Sequence, residues 1–312
     1  MSRCPLSYQN LPQGQNYSTE GLRRIHPRLR SLANLPWTGS TIRREAAQRM
    51  GKMSIQGVQP KVSLSLKLSE GRFDMVDRGG TFILKPAIEE WPHVPENEDL
   101  TMRMAALCNI ETPGHGLVRV ADNELAFVIR RFDRTGRNRR LAIEDFAQLS
   151  GKSRDTKYAS STEQLIGVIN QYATFPAIDV RKLFNRIVFC FLAGNEDAHL
   201  KNWSLFTFED VVGLSPAYDL VNTWLVLPNP TEELALPLKG KKSNLNKEIF
   251  LKYLAKERLE LPNSVVDADM QAFQDALPRC FDLIEISFLP LELKERYAEI
   301  LHERALRLGL NA

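Results

Sequence analysis

The sequence predicts an α+β fold in two lobes, a small mainly β N-terminal lobe (residues 1–133) and a larger helical C-terminal lobe (residues 134–312). Three observations predict it. Short apolar or alternating runs, the mark of strands, concentrate before residue 133, at 62–68, 81–86, 117–120 and 125–129. The most regular helical period comes after it, with Val180, Leu183, Phe184, Ile187, Val188, Phe191 and Leu192 on one stripe. Residues 234–312 repeat at the same period. At 312 residues the chain is long enough for two lobes and a sizeable core.

Composition removes several classes. A net charge of +3 over 312 residues is no global nucleic-acid signature. Cys4, Cys108, Cys190 and Cys280 lie far apart with no C-x-x-C pair, so neither zinc nor a disulfide framework is indicated. Cys190 falls inside the apolar stripe and reads as a small core residue. With no secretory signal and no long apolar run, the expectation is a chain of the reducing cytoplasm without membrane contact.

Residues 1 to about 50 are rich in Arg, Gln, Ser, Asn and Pro, and Pro5, Pro12, Pro27 and Pro36 argue against one long helix. They read as an irregular segment open to partner docking. Its basic cluster, Arg23, Arg24, His26, Arg28 and Arg30, reads as a solvated face, with nucleic-acid or protein docking as the alternative. The stretch 54–61 is a small-residue loop entering the strand at 62–68. Its backbone N–H groups, with Gln56, Gly57, Val58, Gln59 and Lys61, suit a phosphate cradle, although an ordinary turn fits the same residues. Lys85 interrupts the apolar strand at 81–86. It is either a snorkelling edge lysine or a strand lysine that pairs with nucleotide phosphates. Glu96 or Glu98, at the head of a helical segment reaching Leu107, is its candidate partner. The hairpin of 117–129 turns at Asp122-Asn123 and leads into Arg130-Arg131-Phe132-Asp133-Arg134.

In the second lobe, helices are expected at 162–172 and through the apolar stripe, with Asp179 capping the stripe helix and Gly194 as its left-handed stop. Residues 203–206 and 211–214 read as a short hairpin. Asp219, taken alone, reads as a helix cap before Leu220. Further on, breaks are expected at Gly240, Pro262, Pro278 and Pro290, and Lys239, Lys241, Lys242 and Lys247 read as a solvated face. An amphipathic helix at 293–308 closes the chain, stopped by Gly309.

The chemistry concentrates in 194–202, Gly-Asn-Glu-Asp-Ala-His-Leu-Lys-Asn, a polar run behind a buried helix. Asp197 and Asn202 stand five positions apart. Protein kinases use that spacing: the Asp orients the attacking hydroxyl and the Asn holds magnesium. A turn whose side chains bond to their own backbone fits the same pair. Order along the chain adds weight. A phosphate-type loop, a strand lysine, a sheet-to-helix transition, Asp-x-x-x-x-Asn and a downstream Asp219 occur in kinase order. Lys85 would neutralise phosphate oxygens, Asn202 and Asp219 would hold Mg²⁺, and Asp197 would accept a hydroxyl proton.

Four segments carry a resemblance to a known family: 54–61, Ile129-Arg130-Arg131-Phe132-Asp133-Arg134, 195–202 and Tyr218-Asp219. From about residue 50 to its end the chain resembles the HipA-like serine/threonine kinase toxins of bacterial toxin–antitoxin modules, and its short N-terminal extension is similar to the compact HipT branch. The resemblance implies an ATP cleft between the lobes, with ATP and Mg²⁺ as cofactors. It implies Asp197 as the catalytic aspartate, Asn202 and Asp219 as magnesium ligands, and Lys85 as the ATP lysine. Arg130, Arg131 and Phe132 match the adenine hinge, and Gln56 to Lys61 match the phosphate loop. His199, Lys201 and Tyr218, inside the same motifs, join the ATP-binding set. Ser54 matches the autophosphorylated serine; Gln56 stands where HipT relatives can carry a second one, which leaves a single acceptor. The implied substrate is an aminoacyl-tRNA synthetase, tryptophanyl-tRNA synthetase by preference, with inhibition of translation and growth, and persistence, as the outcome. The implied partners are a HipB-like DNA-binding antitoxin and a HipS-like small protein, with DNA met only through the antitoxin. On the residues alone, other readings stay open: a small-molecule phosphotransferase, a nucleotide-binding pseudokinase, or a DNA-associated subunit using the two basic clusters. The filled positions at Lys85, Asp197, Asn202 and Asp219 argue against the pseudokinase.

Overall fold

A computed structural model describes residues 2–50, 59–135, 139–153 and 155–311 of the chain. The chain forms two compact units. The first comprises Met1–Asp99, Pro113–Asn138 and Ile286–Leu289, and the second Leu100–Thr112, Arg139–Glu285 and Pro290–Ala312.

The first unit is built on a five-stranded antiparallel sheet. Its strands are β1 (Val62–Lys67), β2 (Arg72–Met75), β3 (Phe82–Pro86), β4 (His115–Arg119) and β5 (Leu125–Arg130), in the order β2-β1-β3-β5-β4. Alternation sets the buried face: Val62 and Leu64 of β1, Phe82 and Leu84 of β3, and Ala126 and Val128 of β5 share one core cluster. The β4–β5 hairpin turns where expected, with Asn123 in a left-handed conformation (φ 64°).

The first fifty residues are more ordered than their composition suggested. They form α1 (Thr19–Ile25) and α2 (Gly39–Met50), and Ser18 caps α1 by accepting from the N–H of Gly21. Cys4, Leu6, Leu22, Ile25, Leu29, Ile42 and Ala46 complete the core that the sheet begins. The prolines lie outside the helices, Pro5 and Pro12 before α1 and Pro27 and Pro36 between α1 and α2, so they delimit elements without excluding them. Arg23, Arg24, Arg28 and Arg30 are exposed, as a solvated face requires.

A helix, α3 (Val94–Leu107), carries the chain from the first unit into the second. Two-residue strands β6 (Arg134–Thr135) and β7 (Arg139–Arg140) follow.

The second unit is mainly helical. Its centre is α6 (Pro176–Leu192), whose stripe from Val180 to Leu192 is buried as the period demanded. The helix starts a turn earlier than expected, because Pro176 supplies a pre-set first position. Asp179 is therefore not a cap; it lies in the first turn and pairs with Lys182 at 3.0 Å. Gly194 takes the left-handed stop (φ 73°). A three-stranded antiparallel sheet of β8 (Ala142–Asp145), β9 (Ser204–Phe208) and β10 (Val211–Leu214) runs in the order β10-β9-β8. The hairpin β9–β10 was legible; β8, only four residues long with no alternation, was not. Between them come α4 (Phe146–Leu149) and α5 (Thr162–Tyr172), and further on a π-helical stretch, Glu248–Arg258. The helix α7 (Asn263–Ile286) runs straight through Pro278, which was expected to break it. Val266, Phe273, Leu277, Cys280 and Ile284 bury one face of α7 on both sides of the proline, so packing outweighs the lost backbone hydrogen bond. The last helix, α8 (Leu291–Leu308), follows Pro290 and ends at left-handed Gly309. All four cysteines are buried and free. Among the described residues no helix is long and apolar enough to cross a membrane.

Candidate functional site

Two groups of sequence-predicted residues are placed by the fold, one in each unit. In the first unit Lys85 sits near the end of β3, buried, with its Nζ 2.6 Å from Oε1 of Glu98 on α3 and 5.7 Å from the centroid of the Phe127 ring. A lysine paired inside the unit is not a snorkelling edge lysine. Of the two candidate glutamates, Glu98 is the partner. Beside it on α3, Asp99 meets His115 Nδ1 at 2.9 Å. At the end of β5 the Arg130 N–H donates to Gly114 O and the Arg131 N–H to Thr81 O. The Arg131 guanidinium grips Asp133 with two bonds of 2.9 and 2.7 Å, and Arg134 adds a third contact at 2.7 Å. Burial pulls the Asp133 carboxyl pKa upward, but the two guanidinium groups outweigh it and hold the group below its ordinary value. Phe132 is half-buried. Ser54, Gln56, Gly57 and Val58 lie outside the described residues. Gln59 is half-buried and Lys61 exposed at the entry to β1.

In the second unit the loop 194–202 is pinned at several points. Gly194 O accepts from both the N–H and the hydroxyl of Thr223, and Glu196 N–H donates to that hydroxyl. Ala198 O accepts from Trp203 Nε1 at 2.9 Å. The self-bonded turn weighed from the sequence is present as well, but Asn195 provides it. Its Oδ1 accepts from the N–H of Asp197 at 3.0 Å, which leaves the Asp197 side chain 53% exposed. The loop backbone is anchored by these bonds, and its carboxylate is accessible.

Around Asp197 the fold gathers groups from three segments. The Tyr158 hydroxyl donates to Asp197 Oδ1, and His199 Nε2 lies 4.0 Å from the same oxygen and 2.7 Å from Lys157 Nζ. Burial lowers the His199 pKa and Lys157 lowers it further, while Asp197 and Asp219 pull the other way, so the ring is favoured as the neutral form. Lys201 is half-buried, and its carbonyl accepts from the Tyr218 hydroxyl at 3.1 Å, which also bonds Ser204. Burial pushes the Tyr218 phenol up to about 12. Asp219 is exposed in a left-handed conformation (φ 57°), and no helix starts at Leu220; the next, a 3-10 turn at Thr223–Leu225, is capped by Asn222. The helix-cap reading of Asp219 is therefore wrong.

Asn202 closes the loop in a short 3-10 turn, Leu200–Asn202. Its side chain is buried and its Oδ1 has no hydrogen-bond partner among the described residues. A buried carbonyl oxygen left unsatisfied is costly unless something else uses it. An amide oxygen and a carboxylate such as that of the exposed Asp219 are hard oxygen donors of the kind Mg²⁺ takes, with water and phosphate completing its shell. Among the described residues no group of three or more His, Cys, Asp or Glu could hold a metal ion.

Lys157 and Tyr158 belong to no motif or periodic run of the sequence, and only the fold brings them to Asp197, His199 and Leu200. Ser204 lies in the strand expected at 203–206, but its bond to Tyr218 had no signal there.

Comparison with known proteins agrees with this architecture. The family described as the HipA-like C-terminal domain matches residues 53–280, well over half of the chain. A provisionally designated kinase of Haemophilus influenzae is 34% identical over 260 residues, covering 76% of this chain and 74% of that protein. The serine/threonine-protein kinase toxin HipA of Shewanella oneidensis is 26% identical over 271 residues; the match spans 80% of this chain and 58% of the toxin's length. Among solved structures, a chain of the Shewanella oneidensis complex of HipA, HipB and operator DNA superposes with a TM-score of 0.69 at 20% identity, over 96% of this chain and 80% of its own. The fold is the kinase-like α+β fold in two parts. The chain belongs to the family of the HipA-like C-terminal domain and is homologous to HipA serine/threonine kinase toxins.

Proposed function

We propose that the chain is an ATP-dependent serine/threonine protein kinase acting as a bacterial toxin. The observation that carries this reading is the loop 194–202. Within it an accessible carboxylate at Asp197 and a buried, unsatisfied Asn202 Oδ1 stand five residues apart on a pinned backbone. Phosphoryl transfer asks a protein for positioning and charge neutralisation more than for covalent chemistry, and both are provided for. An acceptor hydroxyl donates to Asp197, its oxygen attacks the γ-phosphorus of ATP, and the bond to the β–γ bridging oxygen breaks to release ADP. The proton passes to the Asp197 carboxylate. Lys85, oriented by Glu98, neutralises phosphate oxygens. Asn202 and Asp219 hold Mg²⁺, which when bound shields the charge on the phosphates. Arg130 to Phe132, Gln56 to Lys61, His199, Lys201 and Tyr218 complete the nucleotide site in this reading.

The acceptor is a serine or threonine of an aminoacyl-tRNA synthetase, tryptophanyl-tRNA synthetase first. Ser54 is the site of autophosphorylation; a phosphate there adds about −1.5 to −2 charge, which opposes an anionic nucleotide. The complex of HipA with HipB in the structural relative supports a HipB-like antitoxin partner; a HipS-like small protein is the second partner in this reading.

The test is transfer of labelled γ-phosphate in the presence of Mg²⁺ and tryptophanyl-tRNA synthetase. Asp197→Asn is expected to lower transfer by about 10²–10⁴-fold. Ser54→Ala is expected to leave label on the synthetase while removing it from the chain itself. ATP binding with no label on any protein would replace the kinase with a pseudokinase.

A further inference from the structure

Asp197 already holds a hydroxyl. Tyr158 lies in the connection 150–161 between α4 and α5, and its Oη donates to Asp197 Oδ1. The ring is held on its other sides too. It stands edge-on to His199, with ring centroids 5.1 Å apart. Lys157 Nζ lies 4.9 Å from its centroid and Lys242 Nζ 6.0 Å, distances at which a cation favours an aromatic face. Lys157 also ties this segment to the loop twice, through its Nζ on His199 Nε2 (2.7 Å) and through its carbonyl, which accepts from Leu200 N–H (3.3 Å). Both ends of the Tyr158–Asp197 bond nevertheless face solvent, with Tyr158 42% exposed. A phenol donating to this carboxylate is the arrangement that a serine hydroxyl must reproduce before its proton moves to Asp197.

We propose that Tyr158 is a specificity-determining residue that fills the acceptor position on Asp197, so that an incoming hydroxyl engages the carboxylate only by displacing the phenol. The proposal rests on the reading of Asp197 as the catalytic base. Its chemical consequence is discrimination. The phenol is already held beside the carboxylate by the packing of its ring, whereas water is not, so water, with nothing else to hold it, displaces the phenol poorly. A protein substrate that also touches 150–161 gains contacts that offset the lost bond. The acceptor class selected is a side-chain hydroxyl on a protein surface, against water and small free alcohols.

The experiment uses the full chain with Mg·ATP and a synthetic peptide containing one serine. Tyr158→Phe keeps the ring against His199 and the two lysines and removes only the donated hydrogen bond. The expected result is a peptide KM lower by about three- to tenfold with kcat unchanged, and acceptor-free ATP hydrolysis raised by a similar factor. A fall in kcat at unchanged KM would make Tyr158 an orienting group for Asp197 and overturn the proposal. Unchanged constants would overturn it equally. A second measurement needs no turnover. With 3-fluorotyrosine at position 158, the ¹⁹F signal is expected to move on introducing Asp197→Asn, and to move the same way when the peptide is added to the otherwise unaltered chain. A signal fixed under both conditions refutes displacement. Movement of the signal with no phosphate transfer by any variant would instead overturn the catalytic reading of Asp197, and the acceptor role with it.

Discussion

Lys85 and Glu98 form a buried pair at 2.6 Å, and the proposed function assigns Lys85 a part in phosphate binding that can be tested apart from its part in stability. Glu98 is fully buried and the Lys85 side chain 9% exposed, so removing either leaves its partner's charge in a low-dielectric setting. Lys85→Met is expected to cost about 3–5 kcal/mol in urea unfolding, and Lys85→Met with Glu98→Leu to recover most of it. Phosphate transfer is expected to stay lost in both. Recovery of activity in the double variant would show that Lys85 serves the fold and not the phosphates. Asp133 gives a different signature. Its folded pKa lies below the ordinary value of 3.8, because Arg131 and Arg134 outweigh burial. The unfolded chain therefore takes up this proton first as pH falls. The stabilisation is complete well above pH 3.8 and is lost as the pH drops through the folded value. Asp133→Asn is expected to be less stable than the natural chain near neutral pH, and the gap is expected to close in strong acid. A gap that held constant down to about pH 2 would mean the guanidinium contacts do not set it.

At the scale of elements, the junction of α6 with the loop 194–202 decides where Asp197 and Asn202 stand. Gly194 has φ 73°, and a Cβ added there would lie 2.6 Å from Asn222 Oδ1. Backbone strain and steric conflict coincide at that one position. Gly194→Ala is expected to lower stability by about 1–3 kcal/mol and to reduce phosphate transfer beyond what the stability loss explains, because Thr223 registers the loop through Gly194 O and Glu196 N–H. Urea midpoints and single-turnover rates measured on the same samples check both parts. A destabilised variant with an unaltered rate would show that the loop keeps its geometry without the left-handed stop. The helices were largely legible because their periods are long and their apolar stripes continuous. Pro278 in α7 is the exception. A local rule counts the lost N–H, whereas the buried side chains before and after it, from Val266 to Ile284, are invisible without the fold.

For the molecule as a whole, the reading predicts linkage between ligand and stability. Mg·ATP at a hundredfold excess over its dissociation constant is expected to stabilise the chain by about 2.7 kcal/mol, seen as a rise in Tm. Chelating the metal is expected to remove most of that rise. Asn202→Leu is expected to remove the metal-dependent part while filling the volume of the buried amide. A full Mg·ATP shift in Asn202→Leu would take Asn202 out of the metal site.

Legible in the sequence were four strands of the first unit, the β9–β10 hairpin, the helices α5, α6 and α8, the loop 194–202, and the residue types at Lys85, Asp197, Asn202 and Asp219. Periodicity and motif spacing are local properties, written directly in the chain. Tertiary structure decided what those groups meet. It chose Glu98 over Glu96 for Lys85, gave the self-bonded turn to Asn195 and so left Asp197 accessible, and set Asp219 in a left-handed turn rather than at a helix start. It also brought Tyr158 to Asp197, 39 positions further along the chain. Such contacts depend on how elements pack, and packing is fixed by the burial of whole faces, which no short window of sequence contains.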